Sequence, residues 1–438
     1  MWAIVTGRQG TNALNQKRGR KMAGLRSKLT ISLFVVFALA SLLSGSAGAA
    51  KTIYIGGAMS ATGAYSQDVA AVLAAFEDYA KYVNETKLLA PWRAEKFPGD
   101  VTLEVLWRDD ELKPAKILDI YEELKAKGML VFRVSSTALA LALKERLAED
   151  HMGTTSMTSS PALLAPPTTF FTHYPIYTDS LAAVADWFIQ KWKEPGKPKA
   201  AYLTADNAMG KSIELPEMND YLKKTGYEFI GAQYVPLVPT VPPTTQLMWL
   251  KEKKVDLALG AMINPGVQPT LKEMVRLGIG PFLEYKMTLG VPSTAQVSDV
   301  VQALGELADG FVSSNSLPTW NDLETPGVRF AIDLQNKYRP GKRVTHITYE
   351  LGLVEAMTQV EALRLAVREV PLDKLKPVDV LNNGFYKIKN LDTGGLTSVP
   401  LTYGPGKVEG VDAVRLDQIQ KGKVVKLGVW PCRHLYGK

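Results

Sequence analysis

Residues 53–68 read IYIGGAMSATGAYSQD, and the fold follows from how this stretch is parsed. Ile53, Tyr54 and Ile55 form a short apolar run of the kind a buried strand needs. Gly56 and Gly57 open a loop of small residues, Ala58 to Gly63. After Tyr65, alanine and apolar residues recur at helical spacing up to Tyr82. A strand, a small-residue loop and a helix start bring backbone N–H groups to face a ligand. The loop is no nucleotide cradle, because it ends Gly63-Ala64-Tyr65 where a phosphate loop ends Gly-Lys-Ser/Thr.

The same unit repeats downstream. Residues 101–110 (VTLEVLWRDD) read as a second strand closing on paired aspartates. Residues 114–128 (PAKILDIYEELKAKG) read as an amphipathic helix with Pro at its start and Gly past its end. Residues 129–137 (MLVFRVSST) make a third strand, running into hydroxyls. Residues 138–150 are helical, and residues 151–160 (HMGTTSMTSS) form a further strand that Pro161 stops.

The order Ala58-Met59-Ser60, Thr62-Gly63, Tyr65, then Asp109-Asp110, then Ser135-Ser136-Thr137 resembles the branched-chain amino acid (Leu/Ile/Val) binding protein family. These are the type I periplasmic solute-binding proteins of ABC importers. The resemblance runs over nearly all of the chain beyond residue 50. It implies an α/β fold of two similar lobes, each a parallel sheet flanked by helices, joined by a three-crossing hinge. The alternating strand and helix rhythm points to the same covered parallel sheets. Expected boundaries are residues 51–173 and 315–402 for the N-terminal lobe, and 174–314 and 403–438 for the C-terminal lobe. In the second lobe, strands are expected at 199–204, 228–235, 255–261 and 311–314, and helices at 213–225, 244–253 and 269–277. A long helix spans 348–368; strands are expected at 384–392 and 396–403, and a closing hairpin at 413–429.

Residues 1–50 stand apart. The chain has 438 residues and a formal charge of +7, but Arg8, Lys17, Arg18, Arg20, Lys21, Arg26 and Lys28 lie in this leader without any acid, so the remainder is near neutral. That removes the electrostatic case for nucleic acid as a partner. Arg26 and Lys28, the apolar run 29–43 and Ala47-Gly48-Ala49 have the form of a secretory signal cleaved near Ala49, which implies a periplasmic protein. Met22 is an alternative start. Cys432 is the one cysteine, so no intrachain disulfide forms, and beside Arg433 and His434 it is short of metal ligands. No Gly-x-Ser-x-Gly elbow or His-Glu-x-x-His is present, and Asp109 and Asp110 leave their strand on opposite faces. No enzymatic activity, cofactor or metal is expected.

The binding residues follow from the strand ends. Ser135, Ser136 and Thr137, and then Thr158 and Ser159, can hold a carboxylate by charge-assisted hydrogen bonds, or cap helices. The resemblance implies the carboxylate role and sets Tyr65 near the ligand. It also marks departures. Met209 stands where family members usually carry Tyr. Residues 286–292 (KMTLGVP) lack the acid that pairs with an α-ammonium, and an aromatic is replaced near Met262. Met157, Met209 and Met262 would make a soft apolar wall. An unpaired ammonium in a closed cleft is costly, so this reading expects a carboxylic acid with a hydrophobic or aromatic body to bind more tightly than its α-amino counterpart. Arg133 is expected to face the cleft or reach the surface. The expected role is capture of a small-molecule ligand by a monomer and delivery to the membrane permease of an ABC importer; the alternative is a sensor coupled to a membrane kinase.

Overall fold

The computed structural model describes residues 51–163, 168–314 and 317–436. The leader and its signal therefore lie outside the described residues. In chain order the elements are β1 (Lys51–Met59), α1 (Ser66–Thr86), β2 (Val101–Asp109), α2 (Pro114–Ala126), β3 (Phe132–Val134), α3 (Thr137–Glu149), β4 (Thr154–Ser156) and β5 (Phe170–Phe171). Then come α4 (Tyr177–Lys191), β6 (Lys199–Ala205), α5 (Pro216–Thr225), β7 (Glu228–Val235), α6 (Thr244–Glu252), β8 (Leu257–Leu259), α7 (Asn264–Arg276), β9 (Thr288–Val291), α8 (Val297–Leu304) and β10 (Val312–Ser314). The chain closes with α9 (Pro326–Tyr338), α10 (Thr348–Glu369), β11 (Ala413–Gln420) and β12 (Lys423–Pro431).

Two groups of strands result. β1 pairs with β2 in parallel, and β3, β4 and β5 pair in parallel. β3 lies beside β1, with Gly57 pressed on it: at φ +143°, an added Cβ would meet the Arg133 backbone at 2.4 Å. Only glycine fits that approach. The second group is one sheet in the order β12-β11-β10-β9-β8-β6-β7. Its strands β7, β6, β8, β9 and β10 are parallel, and β11 and β12 add an antiparallel hairpin at one side. This is an α/β fold of parallel sheets flanked by helices.

Apolar spacing explains the helices. α1 buries Val69, Val72, Phe76, Tyr79 and Val83, which recur every three or four residues on one face. That face meets α10, and Gly352 permits the contact, since a Cβ there would lie 2.6 Å from Val72 Cα. α10 is buried nearly all round, so its polar groups need partners inside the protein.

Several expectations need correction. Residues 384–392 and 396–403 are not strands. Helical turns occupy Val380–Gly384 and Phe385–Lys387, and a single bridge joins Leu391 to Leu401. Phe385 is drawn into the core and stacks on Phe171 at 4.3 Å, which holds the segment in turns instead of beside a sheet edge. The strand expected over 151–160 shrinks to Thr154–Ser156, and that over 255–261 to Leu257–Leu259. The helix expected from residue 269 begins at Asn264 with Pro265 in its first turn, and Pro269 sits inside it. α8 and α9 arise in stretches whose patterning had assigned no element.

Candidate functional site

β3 and β4 end on one cavity. Ser135 leaves β3, and Ser136 caps α3, its Oγ accepting from Leu139 N at 3.4 Å. The first-turn N–H groups of a helix have no intrahelical partner, so the start of α3 presents donors at the cavity wall. Thr158 follows β4; its Oγ1 lies 2.5 Å from Thr137 Oγ1 and accepts from Tyr177 OH at 3.1 Å. Ser135, Ser136, Thr137, Thr158 and Tyr177 thus line one wall as a cluster of hydroxyls.

Arg133 is found in neither expected place. It is fully buried behind Ser135, with Nε 2.7 Å from Glu355 Oε2 of α10 and Nη1 donating to Ser135 Oγ at 2.7 Å. Ser60 N also donates to Ser135 Oγ, at 3.1 Å. Ser135 Oγ in turn donates to Ala58 O at 3.4 Å. The strand pattern needed an apolar residue at this position; a paired charge satisfies the same burial. Burial pushes the Glu355 carboxyl above its ordinary range although Arg133 pulls it down.

The paired aspartates act locally. Asp109 Oδ1 accepts from Thr62 N and Glu111 N, at 3.3 and 3.0 Å. Asp110 Oδ1 accepts from Ser60 Oγ at 2.6 Å and Leu112 N at 2.9 Å. Together they fix the small-residue loop after β1 to the end of β2.

Apolar side chains make a second part of the wall. Tyr65, Met157, Met209, Ile263, Leu317 and Leu351 line it, and the empty space, mouth included, is about 590 Å³. Of the nine binding candidates from the sequence, seven lie on the lining: Tyr65, Ser135, Ser136, Thr137, Met157, Thr158 and Met209. Ser159 is turned away and donates to Pro175 O at 3.0 Å. Met262 is buried in the core, and its neighbour Ile263 takes the lining position.

The cavity also contains what the sequence reading had not placed there. Asp68 from the first turn of α1 and Asp299 from α8 line it, with Asn264 and Gln296. His346 stands between the two acids, Nε2 3.6 Å from Asp68 Oδ1 and 3.8 Å from Asp299 Oδ2. Burial pushes the Asp68 carboxyl up to about 6, His346 pulls it down and Asp299 pushes it further up. Burial likewise raises Asp299, opposed by His346 and by an Asn264 Nδ2 donor at 3.1 Å. Asp68, Asn264 and Asp299 also border an adjoining open groove, so this acidic pair sits at the mouth. Asp68 was visible as an acid in a helix first turn, where it reads equally as a dipole partner. Asp299 carried no signal at all.

Comparison with known proteins bears on the family and the fold. A family described as periplasmic binding protein matches residues 52–387. Comparison with curated protein sequences gives no match. Among solved structures, a branched chain amino acid ABC transporter protein from Thermus thermophilus with bound valine superposes with a TM-score of 0.77 at 21% identity, covering 88% of this chain and 98% of that one. A fatty acid ABC transporter substrate-binding protein from Thermomonospora curvata gives 0.69 at 19% identity, over 88% and 94% of the two chains. A solute binding protein of an ABC transporter from Rhodopseudomonas palustris BisB5, in complex with 3,4-dihydroxy benzoic acid, gives 0.66 at 16%, over 87% and 98%. Among the described residues, no helix is long and apolar enough to cross a membrane. The family match over most of its length places this chain among the type I periplasmic binding proteins.

Proposed function

We propose that the chain is the substrate-binding protein of an ABC importer and that its solute is an α-amino acid with an apolar side chain. One observation carries the choice: a single cavity offers hydroxyl and helix N-terminal donors on one wall and two carboxylates at its mouth, with apolar side chains between. A carboxylate would take Ser135, Ser136, Thr137 and Thr158, and an ammonium would take Asp68 and Asp299. The expectation of a plain hydrophobic acid rested on the missing acid at residues 286–292. Asp68 and Asp299 supply that charge from elsewhere, so the cost of an unpaired ammonium no longer applies. The valine in the Thermus thermophilus relative supports the same class; the aromatic acid and fatty acid named for the other two are the competing ones.

In this reading the strands β1–β5 belong to one lobe and β6–β12 to the other, with crossings near residues 173, 314 and 402, and the lobes close on the solute. The leader directs export and is cleaved near Ala49. The protein acts as a periplasmic monomer that performs no chemistry and hands the solute to the permease. A thermal-shift panel of branched-chain amino acids, aliphatic acids and aromatic acids tests it. A solute at 100 times its Kd adds about 2.7 kcal/mol to native stability. Valine, leucine or isoleucine should raise the melting temperature, and a response confined to the acids would refute the assignment.

A further inference from the structure

Away from the solute cavity, three distant pieces of chain converge on one point. Asp179 lies in the first turn of α4, Glu409 in the segment bridged to Thr172, and His434 in the tail after β12. One oxygen of Asp179 and one of Glu409 are already used. Asp179 Oδ1 accepts from Arg433 N and His434 N, at 3.0 and 2.7 Å, and Glu409 Oε1 accepts from Ile176 N at 3.1 Å. The second oxygens point inward together. Glu409 Oε2 is 3.1 Å from His434 Nδ1, and Asp179 Oδ2 is 3.8 Å from it. Tyr436 OH donates to Glu409 Oε2 from the side.

Two features mark this as an unfinished site. Asp179 is wholly buried, and its Oδ2 has no hydrogen-bond partner although it faces the cluster. Orphaned buried carboxylate oxygens are costly. The charge is also unbalanced: two carboxylates, 0% and 3% exposed on their side chains, share one half-exposed imidazole.

We propose that Asp179 Oδ2, Glu409 Oε2 and His434 Nδ1 bind a divalent transition-metal ion, with Zn²⁺ as the occupant. One ligand atom from each of the three residues lies within 4.8 Å of the other two. Ligands about 2.1 Å from a common ion are at most about 4.2 Å apart, so the half-exposed imidazole need move only slightly. A mixed imidazole and carboxylate set suits zinc, whereas Ca²⁺ and Mg²⁺ take oxygen sets. The backbone donors on Asp179 Oδ1 and Glu409 Oε1 fix the ligand orientation, as outer partners do in metal sites. The ion would tie the C-terminal tail to the start of α4, where the chain passes from β5 toward the larger sheet. Read in sequence, His434 beside Cys432 is short of metal ligands, because the other two come from positions 179 and 409.

Zinc stripped and then added back as ZnCl₂ should load one equivalent per protein and raise the melting temperature. CaCl₂ at equal concentration should do neither. His434→Gln should weaken zinc binding by about 100-fold or more, since loss of outer partners alone already costs about 10–100-fold. His434 is half-exposed, so this variant tests the site without threatening the core, and circular dichroism checks its fold. His346→Gln is the control, since His346 lies between two other acids, and it should retain zinc. Absence of stoichiometric zinc, full retention in His434→Gln, or loss in His346→Gln instead would each overturn the assignment.

Discussion

Arg133 Nε lies 2.7 Å from Glu355 Oε2, and neither side chain reaches solvent. The pair joins β3 to α10 directly behind Ser135. It is a support for the binding wall and not a solute contact. Removing one partner leaves a buried charge without compensation, which costs about 3–5 kcal/mol. Glu355→Gln should therefore lower unfolding free energy by that amount in chemical denaturation. An unchanged midpoint would show that the arginine finds another partner.

Ser136 and Ser159 looked equivalent as strand-end hydroxyls, and the geometry separates them. Ser136 lines the cavity, whereas Ser159 gives its proton to Pro175 O at 3.0 Å. Ser136→Ala should weaken solute binding by about 1–3 kcal/mol, the range for a hydrogen bond to a charged group. Ser159→Ala should cost about 1 kcal/mol of stability with a smaller effect on affinity. Titration calorimetry and thermal unfolding of both variants would show the split; equal affinity losses would contradict it.

Asp68 makes the empty protein sensitive to pH. Its ordinary value of 3.8 rises to about 6 on folding, chiefly through burial. The folded state then holds a proton that the unfolded state has released, so this group's stability is fully present below about pH 4 and lost as pH rises through about 6. The full loss is about 1–3 kcal/mol, given roughly 1.4 kcal/mol per pKa unit. Asp68→Asn should be more stable than wild type at pH 7, with the difference vanishing near pH 4. Denaturation at several pH values checks this; a constant difference would contradict it. A solute ammonium would favour the ionised form, so amino acid affinity should rise through pH 6 in wild type and rise less in the variant, which keeps only Asp299.

Much of this was legible in the sequence where local pattern and function coincide. The strand and helix start at residues 53–68, the helix of residues 114–128 and the hydroxyls after β3 and β4 are local signals, and the fold keeps them. β1 nevertheless runs on to Met59 through Gly56 and Gly57, which the sequence assigned to the loop. What could not be read depends on long-range partners. Arg133 is an oddity in an apolar strand until Glu355 appears, 222 residues away. Asp299 reaches the cavity only because α8 packs there, and that helix is only eight residues long. Residues 384–403 are rich enough in β-formers to read as strands, but Phe385 stacking on Phe171 overrides that tendency.

The central claim is that Asp68 and Asp299 meet a cationic group on the solute. The direct measurement is titration calorimetry of the protein with valine and leucine, and with 3-methylbutanoic acid, which keeps the carboxylate and apolar body but has no ammonium. The account predicts one amino acid bound per protein, at least about tenfold more tightly than the acid, the equivalent of about 1.4 kcal/mol. It also predicts that Asp68→Asn narrows that gap. Equal or tighter binding of the acid, with the gap untouched by Asp68→Asn, would contradict it.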